Sequence, residues 1–266
     1  MTLEELEKLD DEENEIALAI IALLISDSNV IGRTLKNEIG SWFRKYAEDG
    51  KYTFQQARRV LTKRELREFN VRYGTKFKRL TRQNALRYTI QKSTAKLREK
   101  YQIRLTELAD KVVEKEQTTF DAELDDTNLT DNKWGEDKQS PAQRVDNKVN
   151  KLTVSLQTEV ERVMYTSGKA DKAEEEVDRL FLVLASAMTL LLTTERVAMS
   201  SFARANIFKM LGYDYYKFVA LRDERMCETC GALDGTIFPI SAFMPGVTAP
   251  CLHPRCRCST IGVRRR

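Results

Sequence analysis

All five cysteines of this 266-residue chain (Cys227, Cys230, Cys251, Cys256 and Cys258), its only histidine (His253) and four of its five prolines lie between positions 227 and 258. No other feature narrows the fold as much. A disulfide scaffold spreads its cysteines through the chain, whereas residues 1–226 contain none. A centre built on two histidines is excluded by count. The order Cys227-Glu-Thr-Cys230-Gly231, then His253-Pro-Arg-Cys256-Arg-Cys258, has the ligand spacing of a tetrahedral zinc site. Two thiolates reach one ion from a tight turn, with Gly231 relieving the backbone behind the second. His253 and Cys256 supply the other half, since His-x-x-Cys can close as a turn. Cys256 and Cys258 are two apart and would face opposite sides of an extended segment, so one ion takes one of them. Cys258 is the alternative fourth ligand and Cys251 the weaker one. The zinc is expected to be structural. A deaminase needs a His-x-Glu upstream, which is missing, and a cysteine protease would have only His253 as its base. No catalytic residue is expected. Structural zinc adds on the order of 10 kcal/mol to a module too small to hold itself.

The rest of the chain reads as helix. Thr2 and Glu5 have capping-box spacing. Helices are expected over about 14–26, stopped at Ser26-Asp27-Ser28, and over about 29–48, ended by Asp49-Gly50. Thr53 caps a short helix through Val60, and Thr62 caps another from Lys63 to Arg72. A long helix follows Gly74, its stripe being Leu86, Ile90, Leu97, Tyr101, Leu105, Leu108 and Val112. Residues 121–140 are polar and read as a linker or exposed loop. Ser140-Pro141 starts a further helix with the stripe Val145, Val149, Leu152, Leu156, Val160 and Val163, ended at Ser167-Gly168. Helical sequence resumes near Lys172 and runs to Gly212. Tyr215–Leu221 and Gly235–Ile240 are strand-like. The expected fold is mainly α. A long helical N-terminal region (1–120) and the 121–140 segment precede a C-terminal part (141–266), which ends in a small α+β zinc-binding module at about 212–263. The apolar run Ile16–Ile25 and the uncharged stretch Leu180–Thr194 both fall short of the roughly 20 residues of a membrane span. A soluble chain with no membrane contact is expected.

The net charge is only +4, but residues 51–100 hold 16 basic and 3 acidic side chains and residues 1–50 hold 5 basic and 12 acidic. Arg58, Arg59, Lys63, Arg64, Arg67, Lys76, Lys78, Arg79 and Arg82 crowd the basic block, with Tyr73, Phe77 and Tyr88 between them. Such density suits non-specific contact with the phosphates of double-stranded DNA. It also suits a solvated face, pairing with the acidic stretch Glu4–Glu15, or an acidic protein surface.

The segment Asp223-Glu-Arg-Met-Cys227-Glu-Thr-Cys230-Gly-Ala-Leu-Asp234-Gly235, followed by Pro250 and His253-Pro254-Arg-Cys256-Arg257-Cys258, resembles the C-terminal signature of the phage head morphogenesis family, the Mu F-like minor head proteins of tailed bacteriophages. Thr194-Glu195-Arg196 and Asn206 look like that family's Thr-Glu helix. Residues 50–69 are similar to the N-terminal region of its Gram-positive phage members. The family usually has Pro where Cys251 stands, Asn where Arg255 stands, and Trp within the strand at Lys217-Phe218-Val219. The resemblance implies a Mu F-like domain over 141–266 and a non-enzymatic virion protein. Such a protein occupies the capsid interior near the portal, is made in the host cytoplasm, and has portal protein, capsid or scaffold proteins and packaged DNA as partners. Within it, Arg257 is an expected partner for Glu195 or Asp223. The competing expectation is a zinc-containing nucleic-acid-binding protein not tied to a capsid, and an enzyme using Asp223 or Asp234 is a distant third.

Overall fold

A computed structural model of the protein describes residues 2–124, 128–221 and 226–264. Four long helices dominate: α1 (Leu3–Tyr46), α4 (Arg82–Phe120), α5 (Pro141–Tyr165) and α6 (Ala170–Met210). Short helices α2 (Phe54–Ala57) and α3 (Lys63–Tyr73) follow α1. The C-terminal part holds β1 (Tyr215–Val219), α7 (Glu228–Leu233), β2 (Ile237–Pro239) and β3 (Ser259–Val263). The mainly helical fold with a small C-terminal α+β part is therefore present.

Two compact units divide the chain. The terminal unit is Met1–Leu24, Tyr101–Asp146 and Ala187–Arg266, and the middle unit is Ile25–Lys100 and Asn147–Ser186. α1, α4, α5 and α6 each give a segment to both.

α1 is unbroken, where a stop was expected at Ser26-Asp27-Ser28. The buried stripe Ala17, Ile20, Leu24, Ser28, Gly32, Leu35, Ile39 keeps its three- and four-residue spacing straight through the polar residues. A continuous buried face outweighs the weak helix propensity of Ser and Asp. Gly32 belongs to the same stripe, since a Cβ there would lie 2.9 Å from the Phe181 ring. α3 is capped by Thr62 at its start, as expected, and it ends at Gly74 in the left-handed conformation. α4 begins only at Arg82. Residues 75–81 form an extended connection, not the first turns of a long helix. The heptad-like stripes of α4 and α5 are buried throughout, and Ser140 accepts from the Gln143 amide as the α5 cap. α1 and α6 each contain an 18-residue stretch apolar enough, by length and composition, to cross a membrane, longer than the runs read from sequence. In α6 that stretch turns Leu180, Phe181, Leu184, Met188 and Leu192 inward.

In the terminal unit the strands pair antiparallel in the order β2-β1-β3. Tyr216 and Phe218, two apart on β1, are completely buried on one face. Phe218 occupies the strand segment where the family usually carries Trp. It packs with Val197 and Ala198 of α6 and with Cys230, Cys251, Cys256 and Cys258, so the sheet joins α6 to the cysteine cluster. β3 carries no strong sequence signal. Its Ser-Thr-Ile-Gly-Val run becomes a strand by pairing with β1 over five residues.

Candidate metal centre and basic surface

Two chain segments converge at the cysteines. The first is the start of α7. Cys227 is its N-cap, and its Sγ accepts from the Cys230 amide, which holds the Cys227 thiol below its ordinary range. Gly231, expected to relieve the backbone behind the second cysteine, is an ordinary helical residue there with no positive φ. The second segment closes as a turn, with the Cys256 amide donating to the His253 carbonyl. Arg255 sits in that turn at φ +63°, a backbone that Asn tolerates and Arg strains. This accounts for the family's Asn at this position.

The turn aims His253 Nε2 at two sulfurs, 3.2 Å from Cys227 Sγ and 3.2 Å from Cys230 Sγ. Cys230 Sγ lies 4.0 Å from Cys256 Sγ. A tetrahedral zinc with bonds of about 2.3 Å to sulfur and 2.0 Å to nitrogen has ligand–ligand edges of roughly 3.5–3.8 Å; Cys227, Cys230 and His253 form one set close enough to share an ion, and Cys256 reaches it only through Cys230. His253 Nδ1 faces the Pro254 carbonyl at 2.9 Å, the outer contact that leaves Nε2 for a metal. All five cysteines are free thiols. Hydrogen bonds from Cys230, Cys251 and Cys258 hold the Cys256 thiol far below its ordinary range, while donation to Cys256 and burial push those three up. One sulfur thus already concentrates negative charge, and a divalent cation would displace the remaining thiol protons.

Cys230, Cys256 and Cys258 also form a set with sulfurs within 4.8 Å of one another. The expected opposition of Cys256 and Cys258 does not occur. The extended strand begins only at Ser259, and the turn at Arg255 rotates Cys256 to the side that Cys258 faces. Cys251 has a different place. It is fully buried and its thiol donates to the His253 carbonyl at 3.1 Å, bracing the ligand turn. Cys251→Ala, which removes the donor to the His253 carbonyl, should keep the metal but weaken it by about 10- to 100-fold, as outer-contact losses do. Competition with a chromophoric chelator reads this directly, and complete metal loss would make Cys251 a ligand.

Residues 155–261, from within α5 to within β3, match the family model described as Phage Mu protein F like protein. Over those residues the chain is similar to the Mu F-like phage head morphogenesis family. No curated protein and no solved structure matches the chain. The Mu F-like region thus contains the whole Cys/His cluster, together with the Thr194-Glu195-Arg196 helix segment.

That segment is the buried electrostatic centre of the terminal unit. Glu195 accepts from Trp134 Nε1 at 2.8 Å and from Arg144 Nη1 at 3.1 Å. Its partner is therefore Arg144, not Arg257, and Asp223 lies outside the described residues. Arg144 also stacks 4.0 Å over the Trp134 ring and donates to the Trp134 carbonyl, which ties the loop before α5 to α6. Burial raises the Glu195 carboxyl to about 7 against these two donors. The next residue, Arg196, donates to Asp10 at 2.6 Å and to Glu13 at 3.0 Å, and Ser200 one turn on donates to Glu13. Arg204 grips both oxygens of Glu116 and reaches Ser259 of β3. Sequence reading missed this network, since its members lie up to 187 residues apart. The only signal was charge inside apolar helical stripes: Glu13, Glu116, Arg196 and Arg204. Asp234 accepts from the Ala220 amide, a backbone role.

The nine basic candidates all lie in the middle unit. Arg58, Arg59, Lys63, Arg64, Arg67, Lys76, Lys78 and Arg79 are exposed, and Arg82 is half-buried 4.2 Å over the Tyr46 ring. Arg59 pairs with Glu48 and Arg64 with Glu68. The acidic stretch at the N-terminus is engaged elsewhere, Asp10 and Glu13 with Arg196 and Glu12 with Lys115. Phe69, Tyr73, Phe77 and Tyr88 pack on one another at 4.6–6.3 Å, so the aromatics between the cations form an internal cluster.

Proposed function

We propose that the protein is a minor component of the phage head that sits in the capsid interior by the portal vertex, and that a structural zinc locks its C-terminal module. The match of 155–261 to the head-protein family carries this reading. The convergence of Cys227, Cys230, His253 and Cys256 within that stretch supports the zinc. The Mu F-like domain is read as 141–266, after a helical N-terminal region. Glu195, Asp234 and the thiols all serve structural roles, which supports a protein without catalytic activity. Basic side chains of the middle unit contact packaged double-stranded DNA. Portal, capsid or scaffold proteins are the protein partners.

Co-expression with the portal protein of the same phage tests the assignment. A complex that co-purifies at 150 mM salt and carries about one zinc per chain is the expected result. Failure to associate with any portal, capsid or scaffold protein removes the capsid reading. If deletion of 212–266 abolishes DNA binding while neutralising the 51–100 cations does not, the zinc module reads nucleic acid directly.

A further inference from the structure

The connection between α3 and α4 is short, basic and fixed at both ends. Gly74 ends α3 in the left-handed conformation. The Asn70 side chain then serves the connection as a template. It accepts from Thr75 Oγ1 at 2.7 Å and from the Phe77 amide at 3.0 Å, and donates to the Phe77 carbonyl at 2.9 Å. At the far end Leu61 N donates to Leu80 O and Arg82 N to Arg59 O, both at 2.9 Å. These bonds flank the antiparallel bridge of Val60 with Thr81 and tie the end of the segment to residues 59–61.

Side chains alternate along the extended stretch. Phe77 turns inward between Phe69 and Tyr88, while Lys76 and Lys78 on either side of it are exposed, as is Arg79. Two residues of extended chain separate Lys76 from Lys78 by about 7 Å, close to the step between neighbouring phosphates on one strand. Lys76, Lys78, Arg79 and Arg58 carry no ion pair among the described residues, unlike Arg59 and Arg64. The aromatic rings are used up internally. The face lacks the stacking platforms of single-strand binders and the aromatic anchors of protein interfaces.

We infer that segment 74–81 is the element that grips duplex DNA, through backbone phosphates and without sequence preference. This rests on the DNA-contact reading above and narrows it from nine cations to Lys76, Lys78 and Arg79, the three on the segment that Asn70 fixes; Arg58, Lys63 and Arg67 are exposed as well but lie outside it. The geometry is set before binding, so no ordering of the segment has to accompany each contact.

The test is a fluorescence-anisotropy titration of the full chain against a duplex of about 30 base pairs over roughly 50–200 mM salt. Wild type should weaken steeply with salt. Lys76→Gln/Lys78→Gln/Arg79→Gln should lower the log–log salt slope by nearly 3, about 0.9 per lost phosphate contact. Arg59→Gln/Arg64→Gln, which removes paired cations, should change it by less than one. Asn70→Ala keeps every charge and should bind several-fold more weakly at unchanged slope. If the two charge variants lower the slope equally per charge, or only the paired one does, the segment is not the grip although DNA binding stands. Wild type without salt-dependent binding overturns both readings. Preference for polyglutamate over duplex at equal charge concentration makes an acidic protein the partner and overturns the proposal.

Discussion

Cys230→Ala is expected to abolish metal binding and unfold the C-terminal module. Cys230 belongs to both thiol sets, with Cys227 and His253 on one side and Cys256 and Cys258 on the other, so no rearrangement of ligands can spare it. The module has little else to hold it. Its strands are three to five residues long and α7 has six. Apolar burial on that scale does not balance the entropy of ordering the chain, whereas a structural zinc supplies on the order of 10 kcal/mol. Elemental analysis should find about one zinc per wild-type chain and none in the variant. Limited proteolysis should then cut freely after Gly212 in the variant and in chelated wild type. Cys258→Ser should retain the zinc and Cys256→Ser should lose it. The reverse pair of results would hand the fourth position to Cys258. A wild-type protein purified without metal, with melting unchanged by chelator, removes the zinc altogether.

Arg204→Met is expected to cost about 3–5 kcal/mol, the range for removing one partner of a buried ion pair. Arg204 is 4% exposed and Glu116 fully buried, and Glu13 lies within the same group with one carboxylate oxygen lacking a hydrogen-bond donor. Without the guanidinium, Glu116 and Glu13 face each other unscreened and Ser259 loses its donor. The double variant Arg204→Met/Glu116→Leu should recover much of the loss, because two apolar side chains replace two charges. Urea unfolding at about pH 9, above the value of about 8 to which burial raises Glu116, measures both with that carboxyl ionised. A Met variant as stable as wild type would show that water or another cation compensates.

The same cluster sets a pH dependence. Burial raises Glu116 to about 8 and Glu195 to about 7, each above its unfolded value of 4.5. A carboxyl raised in the folded state keeps its proton there after the unfolded chain has lost its own. Its contribution to stability is complete below about pH 4.5 and is lost as pH rises through 7–8. The urea midpoint should therefore fall between pH 5 and 9. Glu116→Gln, which stays neutral, should flatten that decline. An unchanged profile in the Gln variant would mean that Glu116 is ionised against Arg204 throughout.

Local rules reached far along this chain. Helix stripes such as Leu97-Tyr101-Leu105 in α4 and Val145-Val149-Leu152 in α5 are period signals within a few turns, and the caps at Thr62 and Ser140 are signals within three residues. The Cys/His cluster was legible for the same reason, since each half of it is a turn of four residues. Predictions failed where distant contacts override local preference. Ser26-Asp27-Ser28 stays helical because one continuous face is buried. Residues 75–81 stay extended because Asn70 and the strand-like run at 59–61 take up their backbone groups.

The amino-acid sequence alone determined the helical class and pointed to a Cys/His cluster, of which Cys227, Cys230 and His253 come together in one set, because Cys-x-x-Cys and His-x-x-Cys each close within a short turn. Only the tertiary structure decided the rest. It gave Glu195 to Arg144, and Glu116 to Arg204. It also brought Cys258 to the same side as Cys256, and left Lys76, Lys78 and Arg79 unpaired on a fixed segment. A charge has no periodicity, and its partner can come from anywhere in the chain. Which cations are neutralised inside the fold and which remain for a ligand is therefore settled only when distant segments meet.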